Sequence, residues 1–287
     1  MLKKRVKRVD PTRTGLIQRQ FLRDINKRLA LLYIKIRELI VDEDAFGLKE
    51  RTPLVLMQEP RRFAFQTSAQ KLRTFQRWLK EQVDQGILEV SGEGIPGKPW
   101  TYKYVQSAYR KGVTRAYMDM NKEALAVSPE WYMGSRAQFI QTTLNLPAYM
   151  SMVQLLGTRS FEQLRGISAT MSQQLNRIMA MGLAHGWGPL RIARDMKEQI
   201  SGLSISRARM IARTETINAH AVGQLNAFRL LGIEELGIMA EWSTAGDEKV
   251  CSECGELEGQ TFTIDEAEGM IPLHPNCRCA WIPSEAK

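Results

Sequence analysis

Apolar residues recur near the start of the chain at the spacing of an α-helix. Between residues 22 and 39 the intervals alternate between three and four positions, which is typical of a narrow apolar stripe along one helix face. A Pro-Thr pair at residues 11–12 precedes the stripe, and it ends near residues 42–47. The pattern predicts a long amphipathic helix that packs within the molecule or, as the alternative, in an intermolecular coiled coil. The stripe consists of Leu22, Ile25, Leu29, Leu32, Ile36 and Leu39.

Helical periodicity continues through most of the chain. A second helix is expected around residues 72–83, and a third opens in the aromatic-rich segment from residue 100 and either ends near Gly112 or runs through it. We interpret its aromatic side chains as core residues. From residue 128 to 231 the pattern is helical, with expected breaks at the Gly-Trp-Gly-Pro sequence of residues 186–189 and at Gly202.

The pattern changes after Gly232 from helical periodicity to short strand-like alternation. Strands are expected at residues 238–242, 260–264 and 279–282. The predicted fold class is therefore mainly α, with an elongated multi-helix body and a small C-terminal α+β module. We expect the cysteines to hold this module together, as in a zinc knuckle. The predicted segments are a basic N-terminal arm and amphipathic helix (1–50), a helical region (51–160), the helical part of the last domain (161–233) and the Cys/His module (234–287).

Charge is strongly segregated along the sequence. Residues 1–40 contain 12 Lys or Arg and 3 Asp or Glu, whereas residues 234–287 contain 3 basic and 12 acidic residues. The basic arm indicates contact with DNA or another acidic surface, or else a solubilising tail. The candidate DNA-binding residues are Lys3, Lys4, Arg5, Lys7 and Arg8.

The sequence shows no targeting or membrane signal. Its basic start lacks the apolar segment of a signal peptide, and no apolar run approaches the length of a membrane helix. We expect a protein that folds in a cytoplasm and has no membrane partner.

All four cysteines lie in the last 37 residues, next to one of only three histidines. Cys251-x-x-Cys254 and His274-x-x-Cys277 provide two closely spaced donor pairs, and Cys279 is a fifth candidate. Tetrahedral zinc needs four such ligands, so either Cys279 or His274 would be left over. Two other states stay open: reduced thiols that simply pack, or disulfides such as Cys251–Cys277 with Cys254–Cys279.

A carboxylate is predicted in the stripe of small residues that runs from Ala208 to Val222. Ser206 is the expected helix cap, and Glu215 falls on the same helix face as the alanines. Because Arg209 and Arg213 lie on another face, the partner of Glu215 should come from elsewhere, for example from an arginine of the Cys/His module. We interpret Glu215 as half of a structural ion pair, with a functional acid as the alternative.

The C-terminal motifs follow a recognisable order. Arg-x-Arg-x-Ile-Ala-Arg-Thr-Glu (207–215) is followed by Glu-Trp-Ser-Thr (241–244), Val-Cys-Ser-Glu-Cys (250–254) and Pro-x-His-Pro-Asn-Cys-Arg-Cys (272–279). In this order the sequence resembles the phage head morphogenesis family, which includes the Mu F-like minor head proteins. The signature positions, to which the resemblance gives a structural role, are Arg213, Thr214, Glu215 and Asp247.

The resemblance implies a minor virion protein and no enzymatic activity. It implies a location in the phage head at the portal vertex, after assembly in the host cytoplasm. The implied partners are the portal protein, the major capsid or scaffold protein, and packaged DNA.

Two alternatives come from other functional classes. The His274-Pro-Asn sequence between cysteine pairs is similar to that of HNH-type metal-dependent nucleases, but a second histidine and an acidic metal ligand near it are missing. A zinc-ribbon DNA-binding protein would explain the basic arm but not the acidic module, which repels phosphate.

Overall fold

A computed structural model describes residues 10–49, 67–90, 97–127 and 135–285, with the backbone alone at residues 121–127, 203–204 and 285. The fold is mainly α with a small antiparallel sheet near the C-terminus, which confirms the predicted class. The chain forms two compact units. Unit 1 comprises Met1–Phe21, Glu93–Phe161 and Met210–Lys287, and unit 2 comprises Leu22–Gly92 and Glu162–Arg209.

Helices account for most of the described residues. They are α1 (Gly15–Arg37), α2 (Ser68–Gly86), α3 (Tyr102–Val127), α4 (Arg136–Asn145), α5 (Pro147–Ala184), α6 (Pro189–Gln199), α7 (Ile205–Leu230), α8 (Ser252–Glu256) and α9 (Ile264–Ala267). The strands are β1 (Ile238–Ser243), β2 (Thr261–Phe262) and β3 (Ala280–Glu285).

In unit 2 the apolar stripe of α1 is buried as its spacing predicts. Ile25, Leu29 and Leu32 are at most 4% exposed, and beyond the helix a π-helical turn (Glu38–Asp42) buries Leu39. Helix α2 starts with a capping box at Thr67, whose hydroxyl accepts the Gln70 N–H while the Gln70 side chain accepts the Thr67 N–H. Helix α6 starts with Pro189 in its first turn, as predicted for the Gly-Trp-Gly-Pro link.

In unit 1 helices α3 and α7 approach each other at two glycines. A Cβ atom on Gly112 would lie 2.1 Å from the His220 carbonyl oxygen, and one on Gly223 would lie 2.4 Å from the Tyr109 carbonyl oxygen. Helix α3 continues through Gly112. The missing side chains of the two glycines let the backbones of α3 and α7 come this close. The aromatic residues of α3 are buried, as expected of core residues.

The sheet of unit 1 has the strand order β2-β1-β3, and both pairings are antiparallel. Trp242 of β1 lies opposite Trp281 of β3, and their rings meet edge to face at 5.4 Å. Both tryptophans are fully buried and join the core formed by α3 and α7. The small sheet is thereby attached to the helices of the same unit through large aromatic surfaces.

The expected break at Gly202 and the expected cap at Ser206 are both wrong. A π-helical turn (Ile200–Ser204) links α6 to α7, and Ile200 and Ile205 at its two ends have helical dihedral angles. Glycine adopts these angles at a cost of only about 1 kcal/mol relative to alanine, so the chain remains helical there. None of the helices in the described ranges is long and apolar enough to span a membrane.

Candidate metal centre

The five sulfur and nitrogen donors of the module come from three short segments. Cys251 precedes α8, and its sulfur accepts a hydrogen bond of 3.4 Å from the Cys254 N–H, so the C-x-x-C turn caps its own helix. His274 and Cys277 belong to one turn that is closed by a Cys277 N–H···O=C His274 bond of 3.1 Å. Cys279 immediately precedes β3. The segments therefore converge although up to 28 residues separate their donors.

The donor atoms form two groups that share one sulfur. His274 Nε2 lies 3.1 Å from Cys251 Sγ and 3.2 Å from Cys254 Sγ. Cys254 Sγ in turn lies 4.0 Å from Cys277 Sγ. The first group is Cys251, Cys254 and His274, the second is Cys254, Cys277 and Cys279, and the donors within each group lie within 4.8 Å of one another. Such a cluster could bind a metal ion.

The His274 ring is oriented by a backbone carbonyl. Its Nδ1 lies 2.8 Å from the Pro275 carbonyl oxygen, which can only accept, so Nδ1 carries the proton. The Nε2 lone pair then points at the two sulfurs, as in histidines that bind metals and donate their other N–H to a carbonyl. The same hydrogen bond to Pro275, with the nearby Cys251 and Cys277 sulfurs, raises the pKa of His274 against the effect of burial.

The four thiols are unbonded, so neither of the two disulfides considered from the sequence is present. A hydrogen bond from Cys279 lowers the pKa of Cys277 to about 5, and the Cys254 N–H lowers the pKa of Cys251. Burial raises the pKa of Cys254 to about 12, and the hydrogen bond to Cys277 raises that of Cys279. A bound cation would replace the protons of these thiols.

The loop before Cys251 is attached to the residue between Cys277 and Cys279. The Arg278 guanidinium donates two hydrogen bonds to the Asp247 carboxylate, at 2.6 and 2.5 Å. This pairing with Arg278 lowers the pKa of Asp247 to about 2. Asp247 also accepts the Lys249 N–H at 3.0 Å. The signature residue Asp247 therefore connects the two cysteine-bearing segments.

One signature residue of α7, Thr214, contacts the turn that carries His274. The Thr214 hydroxyl accepts the backbone N–H of Asn276 at 3.1 Å, and Asn276 has a φ of 65°, a left-handed conformation that asparagine tolerates better than most residues. Arg213, one position earlier, is half-buried. Thr214 thus fixes α7 to the turn that carries His274 and Cys277.

The partner of Glu215 is Arg159 of α5, not an arginine of the Cys/His module. Arg159 Nε lies 3.4 Å from the Glu215 carboxylate, which is only 4% exposed. Burial raises the pKa of Glu215, and the Arg159 charge acts in the opposite direction. The expected partner outside α7 is thus confirmed, and only the example of a module arginine was wrong, because Arg278 already pairs with Asp247 and α5 lies alongside this face of α7.

Gln224 is a site residue that the sequence reasoning missed. Its amide nitrogen donates to the Trp281 carbonyl at 2.6 Å, and its amide oxygen accepts the Trp281 N–H at 3.2 Å. The side chain therefore pairs with β3 as a neighbouring strand would. A polar residue on the buried face of a helix is the signal that could have revealed it, because a buried amide needs such partners.

The other two histidines lie outside the cluster, and the predicted DNA-binding residues are not described. Lys3, Lys4, Arg5, Lys7 and Arg8 are outside the described residues. His185 is exposed in unit 2, where it stacks on Trp187 with ring centroids 5.7 Å apart. His220 is fully buried in α7, and burial lowers its pKa to about 3. Within the described ranges, His274 is the only histidine in a group that could hold a metal.

Comparison with known proteins gives one family match. Residues 173–282 match the family described as phage Mu protein F like protein. No curated protein and no solved structure gives a match. The matched segment contains α7, β1, β2, the first half of β3 and every cysteine of the chain. Through this segment the chain is similar to that family, which supports the resemblance to phage head morphogenesis proteins.

Proposed function

We propose that this protein is a minor head protein of a tailed phage that acts at the portal vertex, where its C-terminal module (residues 234–287) docks onto another head protein. The observation that carries the proposal is that the family match includes the whole donor cluster. The match covers residues 173–282, and the donors lie at residues 251–279.

The metal in this proposal is one structural zinc ion, held by Cys251, Cys254, His274 and Cys277. In a tetrahedral site with Zn–S bonds of about 2.3 Å, sulfurs lie about 3.8 Å apart and each lies about 3.5 Å from the nitrogen. The contacts of 3.1, 3.2 and 4.0 Å are close to these values. Zinc therefore fits the donors with small side-chain shifts, and Cys279 would remain as a fifth, neighbouring sulfur.

A structural metal also fits the size and polarity of the module. Its strands contain six, two and six residues, and many of its side chains are acidic and exposed. Such a segment gains little from burial by itself, whereas zinc contributes about 10–16 kcal/mol of apparent folding free energy in small modules. The ion would hold the docking surface in shape without taking part in a reaction.

Charge supports a protein partner for the module and a nucleic-acid partner for the arm. The module has 12 acidic and 3 basic residues, so it repels phosphate and favours a basic protein surface. We assign that surface to the portal protein or to a major capsid or scaffold protein. The arm residues Lys3, Lys4, Arg5, Lys7 and Arg8 would contact packaged DNA through a salt-dependent attraction.

The donor set favours a structural role over nuclease chemistry. An HNH-type site needs a histidine base and a separate catalytic cation. His274 presents its lone pair to two sulfurs, which suits a metal ligand better than a base. His220, the nearest histidine in sequence, is fully buried in α7.

The proposal is tested in two steps with one variant and one matched control. Cys254→Ser removes the central, buried sulfur, and Ser252→Ala changes an exposed neighbour in the same turn. Elemental analysis of the purified full chain should give about one zinc ion per chain for the wild type and for Ser252→Ala, and almost none for Cys254→Ser. Reduced, metal-free packing would instead give no zinc in any of the three proteins.

The second step is complementation of a phage that lacks the gene. The wild type and Ser252→Ala should be recovered in purified procapsids together with portal protein, and Cys254→Ser should be lost from them. Absence of the wild-type protein from procapsids and particles would rule out the assembly role. Nicking of plasmid DNA with Mg²⁺ or Mn²⁺ that disappears in His274→Ala would support the nuclease instead.

A further inference from the structure

The number of donors in the centre exceeds what one tetrahedral ion uses. Five donors lie in two triangles, and Cys254 belongs to both. A zinc ion takes four ligands, so Cys279 stays unused although it is 2% exposed and lies within 4.8 Å of the Cys254 and Cys277 sulfurs. Two three-coordinate ions that share one sulfur would use all five donors.

The spacing of the second triangle suits a three-coordinate ion. When a metal lies in one plane with three sulfurs at about 2.3 Å, the sulfurs are about 4.0 Å apart. The Cys254 and Cys277 sulfurs are separated by 4.0 Å. The first triangle adds two sulfurs and a neutral imidazole nitrogen, whose lone pair is already aimed at them.

We propose that the centre binds two copper(I) ions, one in each triangle, with the Cys254 sulfur as a bridge between them. Soft thiolate donors select copper(I), along with zinc, over hard cations, and copper(I) commonly takes three ligands. Both ions would occupy the centre to which we assigned zinc, so the proposal rests on the metal-binding function proposed above.

The copper form keeps a net negative charge. With all four cysteines as thiolates, two copper(I) ions leave two negative charges. Lys249 and Arg278 line the cavity beside the sulfurs, but Arg278 is already paired with Asp247, so Lys249 offsets part of this excess. No electron is transferred, because copper enters and stays in the +1 state.

The experiment is an anaerobic titration of the full-length, purified chain with an acetonitrile complex of copper(I), followed by native mass spectrometry. At saturation the wild type should carry two copper ions and no zinc. X-ray absorption at the copper edge should show a second copper atom close to the first, because one sulfur bridges them.

Two variants remove one triangle each and keep the other. Cys279→Ser disrupts the second triangle, and His274→Ala disrupts the first. Each should bind one copper ion and lose the copper–copper signal. The control His185→Ala changes an exposed histidine of unit 2 and should still bind two. Cys279→Ser should also keep about one zinc ion, because it leaves the proposed zinc ligands intact.

Three results would overturn the proposal: one copper ion in the wild type, two in Cys279→Ser, or two copper ions without a copper–copper signal. These failures differ from failure of the zinc assignment. If the chain is purified without zinc but still takes up two bridged copper ions, the zinc assignment is wrong and the copper proposal stands. If the chain carries one zinc ion and takes up no more than one copper ion, the copper proposal is wrong and the zinc assignment stands.

Discussion

The contact between α3 and α7 and the Cys/His module belong to the same unit but are stabilised in different ways. At the helix contact, Gly112 and Gly223 bring the two backbones together, and buried apolar side chains surround them. In the module, the donor cluster and the Arg278–Asp247 pair join short segments at a few points. The helix contact depends on shape and volume. The module shares the buried core through β1 and β3, but its donor-bearing segments also depend on a small number of polar contacts.

This difference predicts opposite sensitivities. A close-packed interface responds to an added methyl group, because the backbones on both sides cannot move apart cheaply. The short segments that carry the donors respond to loss of the metal, because the donors join them to one another, whereas β1 and β3 are also held by burial against the helices. The same unit should therefore contain one region that a chelator disturbs and one that it leaves folded.

Metal removal should give the largest effect and the clearest separation of the two regions. Chelation removes a contribution of about 10–16 kcal/mol in small zinc modules. Hydrogen exchange should become fast in the segments around Cys254 and Cys277 and remain slow in α3 around Tyr109. Equal loss of protection in both regions would show that the metal also stabilises the α3–α7 contact, so that the two regions are not stabilised in different ways.

Gly112→Ala should produce the opposite pattern. The new methyl carbon would lie 2.1 Å from the His220 carbonyl oxygen and 3.1 Å from the Gln224 nitrogen. Relief of this overlap requires backbone movement, so the free energy of unfolding should fall by about 3 kcal/mol, while the zinc content stays unchanged.

Gly166→Ala is the matched control for that helix glycine. A Cβ atom there meets nothing within 4 Å, and alanine favours a helix by about 1 kcal/mol over glycine. The control should therefore be slightly stabilised in denaturant titrations. A Gly112→Ala variant as stable as the wild type would mean that α3 and α7 separate easily.

Gln224→Leu should give the next smaller effect, because it disconnects β3 from α7 without adding volume to the contact. The substitution leaves the buried Trp281 N–H and carbonyl without their partner. We expect a loss of about 2–3 kcal/mol in the free energy of unfolding.

Gln260→Leu serves as the control because the Gln260 side chain is exposed and bonds only locally, to the Glu256 carbonyl. It should change stability by less than about 0.5 kcal/mol. Similar losses in the two variants would indicate that Trp281 finds another partner, so that the amide is not a structural link.

The features that follow from local periodicity could be predicted from the sequence. The stripe of α1, the Pro189 start of α6 and the three strands all depend on residues near one another in the chain, and their positions are confirmed. The crowding of Cys251, Cys254, His274, Cys277 and Cys279 also indicated one cluster, because short spacings restrict where the donors can point.

The features that depend on distant pairings could not be predicted. Arg159 and Glu215 come from different helices, and Thr214 meets Asn276 across 62 residues. One sequence contains no signal that selects such partners, since several arginines were equally compatible with Glu215. The Gly202 error has a local cause instead: glycine permits a helix as well as a turn, and the residues around it decided the outcome.

Asp247→Asn should have the smallest effect, because Asp247 is exposed and an ion pair with an exposed carboxylate contributes little. The direction of its pH dependence is nevertheless defined. Asp247 has a pKa of about 2 in the folded protein, against about 3.9 when unfolded. Its stabilising contribution is therefore present above pH of about 4 and is lost as the pH falls towards 2.

The contribution of Asp247 to stability can be measured between pH 7 and about 4, where the protein should retain zinc. The difference in melting temperature between the wild type and Asp247→Asn should stay constant from pH 7 to about 5 and begin to shrink only near 4. Asp265→Asn removes the same charge from another exposed pair, with Arg229 at 2.7 Å, and controls for the change in net charge. A difference that already varies between pH 5 and 7 would show that Asp247 titrates near its ordinary range. Arg278 would then not hold the carboxylate in its charged form, and the loop before Cys251 would depend on the metal alone.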